Sequence, residues 1–242
     1  MLFAIVIIIG NGHYFFEDDA PIVKQGMATV SSEQLENNRT IKLNGEWSFY
    51  PNLLLSPQQS LNNYANQRIF LKVPDKWEGN FQFNEDGPIA GTYHVSIKIP
   101  TEGQYGLFFR YIHKSSRVII NGIEVGGKGN PSTSFTEFQS ENDDKFMVIG
   151  QSKEQILDVL IQVASYNQYP TSGIVYPVEF STTEKIQNFY DQKNLNDIVA
   201  SMGHIVFGII YLISYGQNRK RKEELFLGLF MILMGFYLSL LI

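Results

Sequence analysis

The stretch 115-SSRVIINGIEVGGKGNP-131 decides how the soluble part of this chain is read. Arg117 to Ile120 is rich in β-branched residues and favours an extended backbone. Asn121-Gly122 follows, and both central positions of a type I′ turn need the positive φ that these two residues accept. Ile123-Glu124-Val125 returns, and Gly126-Gly127 ends the run. The spacing predicts a β-hairpin with its tip at Asn121-Gly122.

Similar signals recur outward from this hairpin. Gly91 to Pro100 sets Tyr93, Val95, Ile97 and Ile99 on one face against His94, Ser96 and Lys98, the pattern of a half-buried antiparallel strand. Thr40 to Tyr50 carries Asn44-Gly45 between two alternating runs. Further strands are expected at Gln67–Pro74, Tyr105–Ile112, Phe146–Gly150, Ile156–Ser165 and Ile174–Thr182. One short helix is expected near Pro57 to Tyr64. Strands without long helical patterns between them imply a mainly β, antiparallel sandwich of about eight strands. Trp47, Val95, Ile97, Phe108, Ile119, Val159 and Ile161 are expected inside.

The C-terminal part is different in kind. Leu195 to Tyr215 contains only Asp197 and His204 as ionisable residues, and its helix would be about 31 Å long, enough to cross a bilayer. Leu225 to Ile242 carries no charge. Arg219, Lys220, Arg221 and Lys222 lie between the two, and the positive-inside rule puts this loop in the cytoplasm and the β-domain outside. His204 reads either as a protonatable group in the membrane or as a neutral residue against a neighbouring helix. Met1 to Gly10 is too short to span and is expected to be the remnant of a signal sequence or anchor. The sequence stops inside an apolar run, so a longer chain is expected.

Composition narrows the function. Nineteen basic residues against twenty-four acidic ones give a formal net charge of −5, which argues against nucleic acid as a partner. With no cysteine, thiol catalysis, disulfides and Cys-based zinc sites are excluded. There is no nucleophile elbow, no metal-spaced His pair and no phosphate-cradling Gly loop, so no catalytic residue, metal or cofactor is expected. The acidic runs Glu17–Asp19 and Glu141–Asp144 read as solvated loop charges, with Ca²⁺ binding the alternative.

Four residues are candidates for ligand contact: Trp77, Arg110, Tyr169 and Tyr176. Aromatic faces stack on apolar sugar faces, and an Arg can fix hydroxyls or a carboxylate. Trp77 is either a stacking platform or a core anchor. Arg110 is either a solvated strand residue or part of a binding face. The loop Ala164 to Pro177 suits polar ligands or a rigid packed turn.

Five segments come in the order of a known jelly roll: "LNGEWSFYPNLLLSP", "VPDKWEG", "GTYHVSIKIP", "LFFRYIHKSSRVIINGIEVGGKG" and "QVASYNQYPTSGIVYPVEF". The chain resembles the extracellular domain of bacterial seven-transmembrane receptors with diverse intracellular signalling modules. "GHIVFGIIYLISYGQNRKRKEELFLGLFMIL" is similar to the first two membrane helices of that class. More distantly, the β-domain resembles the sugar-binding domain of glycoside hydrolase family 2.

The resemblance implies an extracellular, galactose-binding-like jelly roll that senses a carbohydrate or small polar ligand. It also implies a multi-pass cell-membrane protein with a histidine kinase or diguanylate cyclase output elsewhere. The expected partners are that ligand and the lipid bilayer, with a homodimer as a further option. An accessory module of a surface glycoside hydrolase and a non-signalling adhesion domain are the alternatives. The expected organisation is a leader remnant (1–12), a linker (13–40), the sensor (41–182), a stalk (183–194), a membrane helix (195–215), a basic loop (216–224) and a second membrane helix (225–242).

Overall fold

A computed structural model describes residues 22–56, 59, 61–77, 88–112, 114–141, 145–166 and 172–240. The readings of Met1 to Gly10, of Glu17–Asp19, of Asn142 to Asp144 and of Tyr169 lie outside these residues. The chain forms two packed β-sheets followed by two long helices. The first sheet contains β1 (Met27–Thr29), β3 (Gly45–Pro51), β4 (Ile69–Val73), β5 (Ile89–Lys98), β7 (Ser115–Ile120), β8 (Ile123–Lys128) and β10 (Ile156–Ser165). Its order is β4-β3-β5-β10-β7-β8, and β1 pairs in parallel with the part of β5 that β3 does not reach. The second sheet is β2 (Ile41–Lys42), β11 (Glu179–Thr182), β6 (Gln104–Phe109) and β9 (Phe146–Gln151), in that order.

The predicted hairpin forms. Ile120 pairs with Ile123 across the tip, where Asn121 and Gly122 have φ of 49° and 83°. Asn44-Gly45 does not make a second hairpin, because β2 and β3 belong to different sheets. Gly45 has φ of 136°, and a Cβ there would lie 2.0 Å from the Val23 carbonyl oxygen. The chain therefore crosses between layers where a side chain has no room.

The inward residues of both sheets form one core containing Trp47, Phe49, Tyr93, Val95, Ile97 and Ile161. Trp47 donates its indole N–H to the Leu43 carbonyl at 2.8 Å, so the largest core side chain leaves no unpaired donor. All seven residues expected inside are buried, two of them away from the core between the sheets. Phe108 and Ile119 are buried, but neither belongs to the inter-sheet cluster. Their strands alternate, and both residues lie on the outer faces of their sheets. Phe108 faces a helix described below, and Ile119 pairs with Leu160.

The short helix α1 (Ser32–Asn37) has a capping box. Ser31 Oγ accepts from Gln34 N at 3.1 Å, and Gln34 Oε1 accepts from Ser31 N at 2.9 Å. The helix expected near Pro57 to Tyr64 appears as a 3₁₀ helix over Leu61–Gln67.

Helix α2 (Thr183–Gln217) is continuous, and α3 (Lys222–Ser239) returns beside it. The stretch 183–194, expected as a stalk, is helical and packs on the second sheet. Ile186 packs over Gly106, Phe189 and Tyr190 over Phe108, and Lys145 pairs with Asp197. Lys185 Nζ donates to the carbonyls of Leu35, Glu36 and Asn38, at 2.5, 2.8 and 3.0 Å, satisfying the orphan acceptors at the end of α1.

Small residues seat α2 against α3. Ser201 Oγ donates to the Gly235 carbonyl at 2.8 Å, and a Cβ on Gly208 would lie 2.8 Å from the Gly228 carbonyl oxygen. This is the close backbone approach that small residues permit in helix pairs. Around that seam the pair exposes Val206, Phe207, Ile210, Ile213, Phe226, Phe230, Leu233 and Phe236. By length and composition α2 is apolar enough to cross a membrane.

Candidate functional site

Strand pairing divides the connections between two ends of the sandwich. The Asn121-Gly122 tip, the β5–β6 turn at 99–103 and the β9–β10 turn at 152–155 lie at one end. The described loop residues 110–112 and 114, 129–141 and 145, and 166 and 172–178 belong to the other, where Phe109 pairs with Phe146 and Glu179 with Phe108. Helix α2 runs along β6 toward this loop end, because its contacts advance from Gly106 through Phe108 to Lys145.

Arg110 is the first residue after β6 and is exposed at the loop end. Its guanidinium carbon lies 4.9 Å from the ring centroid of Tyr176. Tyr111 meets the same ring edge-on at 6.1 Å between centroids. Tyr176 stays 41% exposed, so the cluster presents a cation and an aromatic face to the outside. Two of the four candidate residues, far apart in sequence, are thus brought together. What the arrangement can do is bind: a planar cation beside a phenol suits an anionic or hydroxyl-rich group.

Trp77 is corrected as a stacking platform. It is 1% exposed, and its indole donates to the Tyr93 hydroxyl at 2.5 Å. Phe49 and Tyr93 lie beside it at 5.5 and 6.2 Å between centroids. The backbones of Asp75 and Trp77 pair with Ile174 and Ser172, which straps the segment onto the core. Burial pushes the Tyr93 phenol well above the ordinary tyrosine range.

Arg219, Lys220, Arg221 and Lys222 are exposed in or beside the turn between α2 and α3. Arg221 Nη1 donates to Glu224 Oε1 at 2.9 Å, and the backbone N–H of Lys220 donates to Asn218 Oδ1 at 3.3 Å. Within α2, His204 Nδ1 lies 2.7 Å from the Ala200 carbonyl oxygen, a local helical contact.

Sequence reasoning missed a pair on the outer face of the first sheet. His94 Nε2 lies 2.7 Å from Asp158 Oδ1, linking β5 to β10. Both residues occupy outward positions of long strands, which was the available signal. Among the described residues no group of three or more His, Asp or Glu is placed to hold a metal.

No protein-family model matches the chain, and no curated protein matches it. The solved structures to which it is similar include two bacterial enzymes. The β-glucuronidase from Ruminococcus gnavus in complex with D-glucuronic acid is 14% identical, with 58% of this chain and 29% of that one covered and a TM-score of 0.39. An uncultured Clostridium sp. β-glucuronidase is 15% identical, with 60% and 29% covered and a TM-score of 0.42. The chain thus spans less than a third of the length of these enzymes.

Proposed function

We propose that this chain is the sensing and anchoring portion of a membrane receptor. Its jelly-roll domain lies outside the cell and binds a small polar ligand or carbohydrate without catalysing a reaction on it. Helices α2 and α3 cross the bilayer as the first spans of a multi-pass protein and carry the signal inward.

One observation carries the reading. The candidate rim and the membrane helix share a strand. Arg110 directly follows β6, and Phe108 of β6 packs against Phe189 and Tyr190 of α2. A ligand that draws Arg110 away from Tyr176 acts on the strand that seats the helix. Coupling needs such a contiguous two-state contact and not merely proximity.

The test is titration of the full chain in lipid nanodiscs against neutral sugars, sugar acids and other small polar solutes, read by calorimetry and melting temperature. A bound ligand at about one hundred times its Kd should raise stability by about 2.7 kcal/mol. Arg110→Ala and Tyr176→Ala should weaken it while leaving the ligand-free melting curve in place. A panel without binding overturns the reading of a soluble ligand.

A further inference from the structure

Helix α2 fixes where the bilayer must begin. Its apolar stretch runs from Ile198 to Tyr215. At 1.5 Å per residue these residues cover about 27 Å, close to the ~30 Å hydrocarbon core. The hydrocarbon boundary therefore falls near Ile198. Each headgroup layer adds about 5–7 Å, or about four helical residues, which here are Asn194 to Asp197.

Asp197 pairs with Lys145, and Lys145 directly precedes β9. Phe146 of β9 pairs with Phe109 of β6, one residue before Arg110. The start of β9, the end of β6 and the Arg110 rim thus share the level of Asp197. Tilt does not remove them from it, since a group about 10 Å from the helix axis moves by only about 3 Å at a tilt of about 20°.

We infer that the loop end of the sandwich rests in the lipid headgroup layer, and that the ligand of the Arg110–Tyr176 rim is a phosphate-bearing lipid headgroup. The inference rests on the reading of α2 as a membrane span and names the ligand class of the proposed site. The chemistry of the end fits. Tyr111 and Tyr176 are the amphipathic rings that populate membrane interfaces, and the fork of an Arg matches phosphate. Lys114 also lies at this end, and Lys145 is paired with Asp197. Of the other described acids there, Glu141 accepts from Gly129 N at 2.7 Å, Glu137 from Ser132 Oγ at 3.2 Å and Glu179 from Thr40 Oγ1 at 2.8 Å. The opposite end, with the Asn121-Gly122 tip, is carried away from the bilayer.

The absence of cysteine makes the test direct. Single Ser140→Cys, Ile123→Cys and Ile210→Cys proteins are labelled with an environment-sensitive fluorophore. The full chain is then placed in nanodiscs of anionic phospholipid. Ser140 is exposed in the loop end, next to Glu141, whose N–H donates to the Lys114 carbonyl at 2.8 Å. Ile123 is exposed at the far end, and Ile210 is exposed in α2.

Headgroup-attached spin labels should quench Ser140 several-fold more than Ile123, and acyl-chain spin labels should quench Ile210. Arg110→Gln should reduce the Ser140 quenching in a chain that still melts as the parent does. Equal quenching at Ser140 and Ile123, with Ile210 quenched, overturns the inference and leaves the membrane reading standing. Ser140 quenching indifferent to Arg110→Gln removes Arg110 as the headgroup ligand. An unquenched Ile210 sinks the membrane reading itself.

Discussion

Phe108 and Phe189 meet edge to face, with 5.1 Å between ring centroids and an interplanar angle of 77°. The contact joins the outer face of β6 to the first turns of α2 and turns a polar helical segment into a docked element. Tyr190 completes the seat at 6.2 Å. Arg39 lies over the Phe189 ring at 5.0 Å and donates to the Asn188 carbonyl.

Truncating this contact should loosen the helix from the sandwich. Phe108→Ala removes a buried ring whose loss typically costs about 3–5 kcal/mol. Denaturant unfolding of the full chain in detergent should show that loss. Protease should also gain access near Asn188. A variant within about 0.5 kcal/mol of the parent, as surface substitutions are, would mean that the seat contributes nothing.

Gly106 makes a sharper case. A Cβ there would lie 2.0 Å from Ile186 Cγ2, so the helix sits where only glycine allows it. Gly106→Ala should destabilise the chain, and Ile186→Ala in the same chain should recover part of the loss. The two changes should therefore couple in a double-mutant cycle. Strict additivity would show that the helix simply moves aside.

Much of this was readable in the sequence, for local reasons. Asn121-Gly122 is self-contained turn chemistry, and β10 announces itself by Leu157, Val159, Ile161 and Val163 at every second position. Ile186, Phe189 and Tyr190 have the spacing of one helical face, but their partner was not legible. Tyr105 to Ile112 is apolar on both faces, so alternation could not say that Phe108 looks outward. The meeting of Arg110 with Tyr176 is a tertiary event between two loops and leaves no local pattern. Trp77 was ambiguous because its segment reads as a loop. Its burial depends on a strap from Ser172 to Ile174 that no spacing encodes. The capping box of Ser31 and Gln34 was legible and went unread.

Tyr93 predicts an alkaline limit. Its phenol is neutral when protonated, and burial raises its pKa in the folded state. Above the ordinary tyrosine value of about 10, the unfolded chain releases a proton that the native one keeps. Its contribution is therefore fully present below about pH 10 and is lost as pH rises beyond it, by about 1.4 kcal/mol per pH unit. Tyr93→Phe should flatten that slope, at a cost of about 1–3 kcal/mol for leaving the Trp77 N–H without its acceptor. Stability curves measured from pH 8 to pH 12 that run parallel in parent and variant would refute the assignment.

The helical hairpin makes a separate prediction. A Cβ at Gly208 would lie 2.5 Å from Ile232 Cγ1, and one at Gly228 would lie 2.9 Å from Leu212 Cδ2. Gly208→Leu should therefore splay α2 from α3 and strand the Ser201 hydroxyl from the Gly235 carbonyl. In detergent, Gly208→Leu should lower the melting temperature of the chain, and Gly203→Leu, where a Cβ meets nothing within 4 Å, should not; equal shifts would refute the seam.

The turn between the helices carries a run of four basic residues. Arg219, Lys220, Arg221 and Lys222 are exposed, and the bond from Arg221 to Glu224 spans only three residues. A bond this local at the surface adds little, so neutralising all four should barely change stability. Their effect should fall on topology, because a short loop rich in Lys and Arg is held on the cytoplasmic side. Gly216 offers a clean reporter, since a Cβ there meets nothing within 4 Å. In intact cells a Gly216→Cys chain should resist a membrane-impermeant thiol reagent. The same chain with the four residues changed to Gln should be labelled in part, as a fraction of molecules inverts. Full labelling of the chain that retains the basic residues would reverse the orientation and place the β-domain inside.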